Sequence, residues 1–199
     1  GSVMSDLPET ASQTAGPYVH IGCTPNFAGI TGVYDEDLGA RMITGDVSGE
    51  RITLTGQIFD GTGTPLRDAM VEAWQADAGG LYAGQDGADP HFTGFGRCAC
   101  DQDSGAFTFE TVKPGATPWP QGGMQAPHIT LWIVARGINL GLHTRVYFPG
   151  DPALETDPVL GRIEHRVRVQ TLIAEVEKDG VYRFNIHLQG PDETVFFDV

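Results

Sequence analysis

The chain has 199 residues with 26 acidic against 12 basic side chains, a formal net charge of -14. That balance argues against nucleic acid or an anionic membrane surface as a general partner, and a solvated acidic exterior is its plain reading. Hydrophobic residues at 40% supply a packed core, while 27 glycines and 13 prolines point to many turns and an all-β protein.

Residues 5–50 are polar, punctuated by Gly and Pro and weakly periodic, so an extended N-terminal arm is expected over 1–50, with one short helix around Asp35–Leu38. Gly1-Ser2-Val3 ahead of Met4 reads as a cloning remnant. From Arg51 the pattern changes: Ile52, Leu54, Gly56 and Ile58 alternate with Thr53, Thr55 and Gln57, the period of a half-buried strand. A turn at 60–65 leads to a second strand, Ala69–Trp74. The Gly/Asp-rich stretch from Ala76 past Phe92 is long enough to be read as a functional or interface loop.

Phe107–Val112 is a short strand, followed by a Pro/Gly-rich crossing to Pro127. His128–Ala135 is apolar and β-prone, a central strand, and His143–Phe148 is another. Asp157-Pro158 opens a helical turn, with Asp as cap and Pro at the first position. Arg168–Ala174 and Val181–Leu188 alternate around Lys178-Asp179-Gly180 and read as a hairpin, with Thr194–Phe197 a last edge segment. These elements sum to one β-sandwich over 51–199 with long loops.

Several chemistries are excluded by what is missing. None of the five serines lies in a G-x-S-x-G elbow, no phosphate-binding G-x-x-x-x-G-K-[ST] run occurs, and the six histidines form neither H-x-H nor H-E-x-x-H. Cys23, Cys98 and Cys100 are an odd set without framework spacing, so no disulfide scaffold is expected and a reducing cytoplasm fits. Cys98 and Cys100 would share one face of a strand, where structural burial is a simpler reading than a metal site. No apolar run approaches the roughly 18 residues of a membrane span, and no secretory segment is seen.

Six segments in order along the chain carry a resemblance: Ser12-Gln13-Thr14-Ala15-Gly16-Pro17-Tyr18, Val71-Glu72-Ala73-Trp74-Gln75-Ala76-Asp77, Val112-Lys113-Pro114-Gly115, Ala126-Pro127-His128-Ile129, Ala135-Arg136-Gly137-Ile138-Asn139 and Glu193-Thr194-Val195-Phe196-Phe197-Asp198. Together they resemble the intradiol ring-cleaving dioxygenases, specifically the protocatechuate 3,4-dioxygenase family. The resemblance implies a β-sandwich, two homologous chains in αβ units, and a non-haem Fe(III) held in the β chain by two tyrosines and two histidines. It further implies cleavage of a small dihydroxy aromatic acid with O₂.

Transferred onto this chain, the metal site is half present. The first tyrosine matches Tyr82 in Gly79-Gly80-Leu81-Tyr82, and the first histidine matches His128. Thr117 stands where the second tyrosine belongs, and Thr130 where the second histidine belongs. Fe(III) favours anionic oxygen donors, and a threonine hydroxyl does not ionise near neutral pH. No metal is therefore expected on this chain. The pattern resembles the family's α chain, whose partner, a homologous β subunit, binds the iron. The resemblance assigns Thr14, Gly16, Pro17 and Arg136 to the wall of that partner's substrate pocket. Gly and Pro shape a backbone that a flat ring can approach, and a guanidinium can balance the substrate carboxylate.

Bland readings stand beside these. Gly16-Pro17 alone is an ordinary turn, and Arg136 alone an ion-pair partner. Trp74 and Trp132 read as packing, while Trp119 flanks the degenerate site. Tyr82 and His128 would bond each other or water. His143, Arg145 and Tyr147 share a strand face that reads equally as an inter-chain surface or as solvent-exposed. Two competing functions are a self-sufficient dioxygenase that recruits His143 beside Tyr82 and His128, and a non-enzymatic β-sandwich module.

Overall fold

The alternation at Ile52, Leu54 and Ile58 does bury one face of a strand, β1 (Arg51–Phe59). It is followed by β2 (Ala69–Trp74), β3 (Phe95–Ala99), β4 (Ala106–Val112) and the two-residue strands β5 (Thr117–Pro118) and β6 (Met124–Gln125). Then come β7 (His128–Ala135), β8 (Leu142–Tyr147), β9 (Glu175–Lys178), β10 (Val181–Arg183) and β11 (Ile186–His187). The structure is a computed structural model that describes residues 41–135 and 141–197; the expected helix at Asp35–Leu38 lies outside them.

The strands form two large sheets, one ordered β11-β1-β10-β9 with β4 also paired to β1, the other ordered β3-β2-β7-β8, and β5 and β6 pair as a separate two-stranded ribbon. Leu54, Ile58, Phe107 and Phe109 from the first meet Val71, Ala73, Leu131, Ile133 and Val146 from the second in one buried cluster. Met42, N-terminal to β1, joins the same core. This is the expected all-β sandwich. Its strands β1, β2, β4, β7 and β8 fall within a residue of the positions that the sequence predicts. β3 went unread because its sequence, Phe-Gly-Arg-Cys-Ala, puts Gly96 inward and the charged Arg97 opposite Glu72, hiding the period.

Three expectations are corrected. Arg168–Ala174 is not a strand: Arg166–Leu172 is a 3₁₀ helix, which places Val169 and Leu172, three residues apart, together in a second apolar cluster. The hairpin strand begins instead at Glu175 and turns at Gly180, whose φ of 77° demands glycine. Its second arm breaks into β10 and β11, because the Asn185 side chain accepts the Gln57 N–H at 3.0 Å in place of a ladder carbonyl. Thr194–Phe197 is not a strand either. It is held by the Phe197 N–H on the His143 carbonyl and the Thr144 hydroxyl on the Val195 carbonyl.

The expected turn after Asp157 is present as a 3₁₀ turn at Leu160–Arg162. It begins two residues later than expected, with Val159 and not Asp157 at its N-cap, although Asp157 does accept the N–H groups of Val159 and Leu160. With Val159, Leu160, Ile163, Val195 and Phe197, this segment forms the second cluster around Tyr147. That cluster covers the face of the four-stranded sheet turned away from the core.

Candidate degenerate metal site

Two loops reach the outer face of the four-stranded sheet, and close backbone packing sets both. Asp77, just after β2, is nearly buried and organises the first: its Oδ1 accepts the N–H groups of Gly79 and Leu81, and its Oδ2 that of Asp89. Its carbonyl also accepts the Gly115 N–H at 2.9 Å, tying this loop to the Pro/Gly-rich crossing. At Gly115 an added Cβ would lie 2.7 Å from the Ala78 carbonyl, so only glycine permits the approach. Gly80, at φ 84°, packs from the other side. Tyr82 follows the first loop and Thr117 ends the second.

Strand register then collects the remaining positions. Thr130 of β7 lies between Trp74 of β2 and Arg145 of β8, and His128 lies opposite Tyr147. Tyr82 stacks on Trp74, with ring centroids 6.4 Å apart and planes 13° from parallel. The sequence-predicted set Tyr82, Thr117, His128 and Thr130 is thus gathered at one end of one sheet face.

What binds it together is a network that reading the sequence did not foresee. Arg145 donates through one Nη1 to the Gln125 side-chain oxygen at 2.8 Å and to the Tyr147 hydroxyl at 3.1 Å. Gln125 passes its amide hydrogens to the Thr117 hydroxyl at 3.3 Å and the Pro118 carbonyl at 3.1 Å. The Tyr147 hydroxyl donates to Asp157 at 3.1 Å. Asp157, only 2% exposed, also takes the N–H groups of Ala126, Val159 and Leu160. Of His143, Arg145 and Tyr147, the first two are half-buried and Tyr147 is fully buried, so the face is not simply solvent-exposed, and Arg145 is the hub of the network.

The charges follow from this enclosure. Burial opposes the charge of Arg145, yet the Tyr147 oxygen, Asp157 and Tyr82 together hold its guanidinium above its ordinary pKa. Burial lifts the Tyr147 phenol above its usual value, so it stays a neutral donor. His128 is pushed well below the ordinary histidine pKa by burial and by the Arg145 charge. Its Nδ1 is 2.8 Å from the Ala126 carbonyl, which can only accept, so the neutral ring carries its proton there. Burial and Arg145 drive His143 down to about 3. Neither of its ring nitrogens has a hydrogen-bond partner among the described residues.

His143 does not join Tyr82 and His128. It packs against Trp132 and Phe197, with the Thr130–Arg145 row between it and the His128–Tyr147 row. Nor do Tyr82 and His128 bond one another: the first stacks on Trp74 and the second tilts against Tyr147 at 5.6 Å. Trp119 lies under the Arg162 guanidinium, 5.5 Å from ring centroid to charge. Thr14, Gly16, Pro17 and Arg136 lie outside the described residues.

These residues do not fit a ferric ion. His128 keeps a free lone pair on Nε2, but Thr117 is a neutral hydroxyl engaged by Gln125, Thr130 is neutral, and a guanidinium stands beside them. Among the described residues no group of three or more His, Cys, Asp or Glu side chains converges as a metal site would require. No helix among them is long and apolar enough to cross a membrane.

Comparison with known proteins agrees with this geometry. The family model described as Dioxygenase matches residues 23–190. The protocatechuate 3,4-dioxygenase alpha chain of Pseudomonas putida is 47% identical over 96% of this chain and 97% of its own. The protocatechuate 3,4-dioxygenase beta chain of Burkholderia cepacia is 37% identical over 82% of this chain and 75% of its own. Among solved structures, the dioxygenase domain of a dioxygenase carbohydrate-binding protein fusion from Streptomyces sp. SirexAA-E superposes with a TM-score of 0.60 at 25% identity, covering 92% of this chain and 98% of that one. The chain belongs to the intradiol ring-cleaving dioxygenase family.

Proposed function

We propose that this intradiol dioxygenase family member is the α-type subunit of a protocatechuate 3,4-dioxygenase. It would assemble with a homologous β-type chain that carries the iron. The complex would cleave the ring between its two hydroxyl-bearing carbons, inserting both atoms of O₂ to give 3-carboxy-cis,cis-muconate. Likeness along nearly the full length to an alpha chain, and weaker likeness to a beta chain, supports the assignment and the pairing.

The observation that carries the placement of the iron is the donor set. One phenol and one imidazole remain where four ligands are needed, and both threonines are neutral. A ferric ion bound here would lack the anionic donors that hold it. The working centre then belongs to the partner, and this chain contributes wall and assembly surface. On this reading the partner-contacting arm, expected over 1–50, ends before Met42, which packs in the core of the sandwich that 51–199 builds. Thr14, Gly16 and Pro17 shape the pocket, and Arg136 balances the substrate carboxylate. The half-buried Cys98 and the buried Cys100 are free thiols, which suits a reducing cytoplasm, and burial raises both, Cys100 to about 12, which leaves them unreactive.

The test is purification of the chain alone and with a β-type partner, followed by iron analysis and a ring-cleavage assay. The isolated chain is expected to be colourless and inactive, and the pair to hold one iron per αβ unit with activity. One equivalent of iron on the isolated chain would overturn the proposal.

A further inference from the structure

Losing two ligands would by itself leave a polar hole at the end of the sheet, yet the site is bridged by side chains. The bridging group is a cation. Arg145 is the cross-strand neighbour of Thr130, and its guanidinium reaches Thr117 through Gln125. It also reaches the ring packed on His128 through the Tyr147 hydroxyl. Thr117, His128 and Thr130 are therefore each within one residue of Arg145, and Tyr82 closes the same face by stacking on Trp74, the other neighbour of Thr130.

We propose that Arg145 is a built-in cation that replaces the metal in this chain, both as the tie between segments and as a block to iron. The proposal rests on the reading that the partner holds the iron. As a tie, Arg145 joins β8 to β6 and, through Gln125, to β5; through Tyr147 it reaches the Asp157 turn. A coordinated ion would join separate segments in the same manner, but with bonds to its ligands instead of hydrogen bonds. As a block, the guanidinium cannot shed its proton in a protein, so it is a permanent positive charge. Its counter-charge is already present in Asp157, which is saturated by four donors and has nothing further to offer a second cation. A ferric ion placed here would meet a fixed like charge where water screens poorly. Restoring the two ligands is then insufficient; the guanidinium has to go as well.

The experiment uses the assembled complex and reads iron per αβ pair by elemental analysis, together with the visible phenolate-to-iron absorption. The natural chain and the Thr117→Tyr/Thr130→His variant are both expected to stay at one iron per pair. Adding Arg145→Gln to that variant raises the ratio toward two, whereas adding Arg145→Lys keeps it at one. A second iron in the double variant with Arg145 intact, or in the version with lysine, overturns the inference. So does an assembled glutamine variant that stays at one. Iron on the unaltered chain would instead count against the partner-held reading, so the two failures are distinguishable. Should the glutamine variant not assemble, single substitutions decide: Arg145→Met lowers the thermal midpoint of the complex by several degrees and Arg145→Lys recovers part of it. A methionine variant as stable as the natural complex overturns the role as a tie.

Discussion

The two faces of the four-stranded sheet are built from alternate residues of the same strands and could hardly differ more. The inner face is Ala69, Val71, Ala73, Ile129, Leu131, Ile133 and Val146, all buried against the other sheet. The outer face is Glu72, Trp74, Arg97, His128, Thr130, Trp132, His143, Arg145 and Tyr147. Both are covered. The inner face is held by area removed from water, with no orientation required. The outer face is held largely by directed hydrogen bonds around Arg145, Tyr147 and Asp157, where losing one partner costs more than the pair gains, while His143 is held by ring packing alone.

That contrast can be tested by removing one member from each face. Asp157→Ala is expected to cost the most, about 4 kcal/mol, because it strands the Tyr147 hydroxyl and three backbone N–H groups beside Arg145. Urea unfolding measures it, and a loss below about 1 kcal/mol would mean that the network relaxes or floods with water. On the inner face Leu131→Ala leaves a cavity and costs about 3 kcal/mol by the same measurement. The loss at Leu131 should be independent of salt and pH, since no charge is involved.

Glu72 sharpens the difference through pH. It is 3% exposed, and burial raises its pKa from 4.5 to about 7 against the pull of Arg97, 3.6 Å away. Its folded pKa exceeds the unfolded one, so between those values the folded state holds a proton that the unfolded state has lost. Glu72 therefore takes away stability as pH rises from about 4.5 to 7. Relative to Glu72→Gln, the natural chain is expected to lose on the order of 2–3 kcal/mol between pH 4 and pH 8. His143 has the opposite sign: its depressed pKa costs stability as pH falls from 6.5 toward about 3. Parallel pH–stability curves for the natural chain and the glutamine variant would show that Glu72 titrates normally. The smallest effect is expected at Thr144, whose buried hydroxyl bonds the Val195 carbonyl at 2.8 Å. Thr144→Val should cost about 1 kcal/mol by thermal unfolding, with the terminal segment loosening first in hydrogen exchange.

Much of this was legible in the residues. Period-2 alternation located β1 and β2, and β-prone apolar composition located β7, because each has a face on the core; β4 and β8 were also read to within a residue. Gly180 announced its turn, and Asp157 the turn after it. The threonines at 117 and 130 declared the missing ligands, since donor chemistry belongs to the residue itself. What misled was the alternation in Arg168–Ala174: Val169, Thr171 and Ile173 keep the period of a strand, whereas the pair that is buried, Val169 and Leu172, is three apart and falls on one side only in a 3₁₀ helix. Arg145 misled in a different way. A charged residue alternating with apolar ones reads equally as solvent-facing or as part of an inter-chain surface, whereas it is half-buried and tied to Gln125 and Tyr147.

Sequence alone located β1, β2, β4, β7 and β8, carried the family resemblance, and put neutral threonines at 117 and 130, because those depend on local pattern and on the chemistry of single side chains. Tertiary structure alone decided that Gln125, Arg145, Tyr147 and Asp157, spread over more than thirty residues, close into one network around the vacated ligands. Register between β7 and β8, and the turn folded over them, set which charges meet. Neither is written in any one segment of the chain.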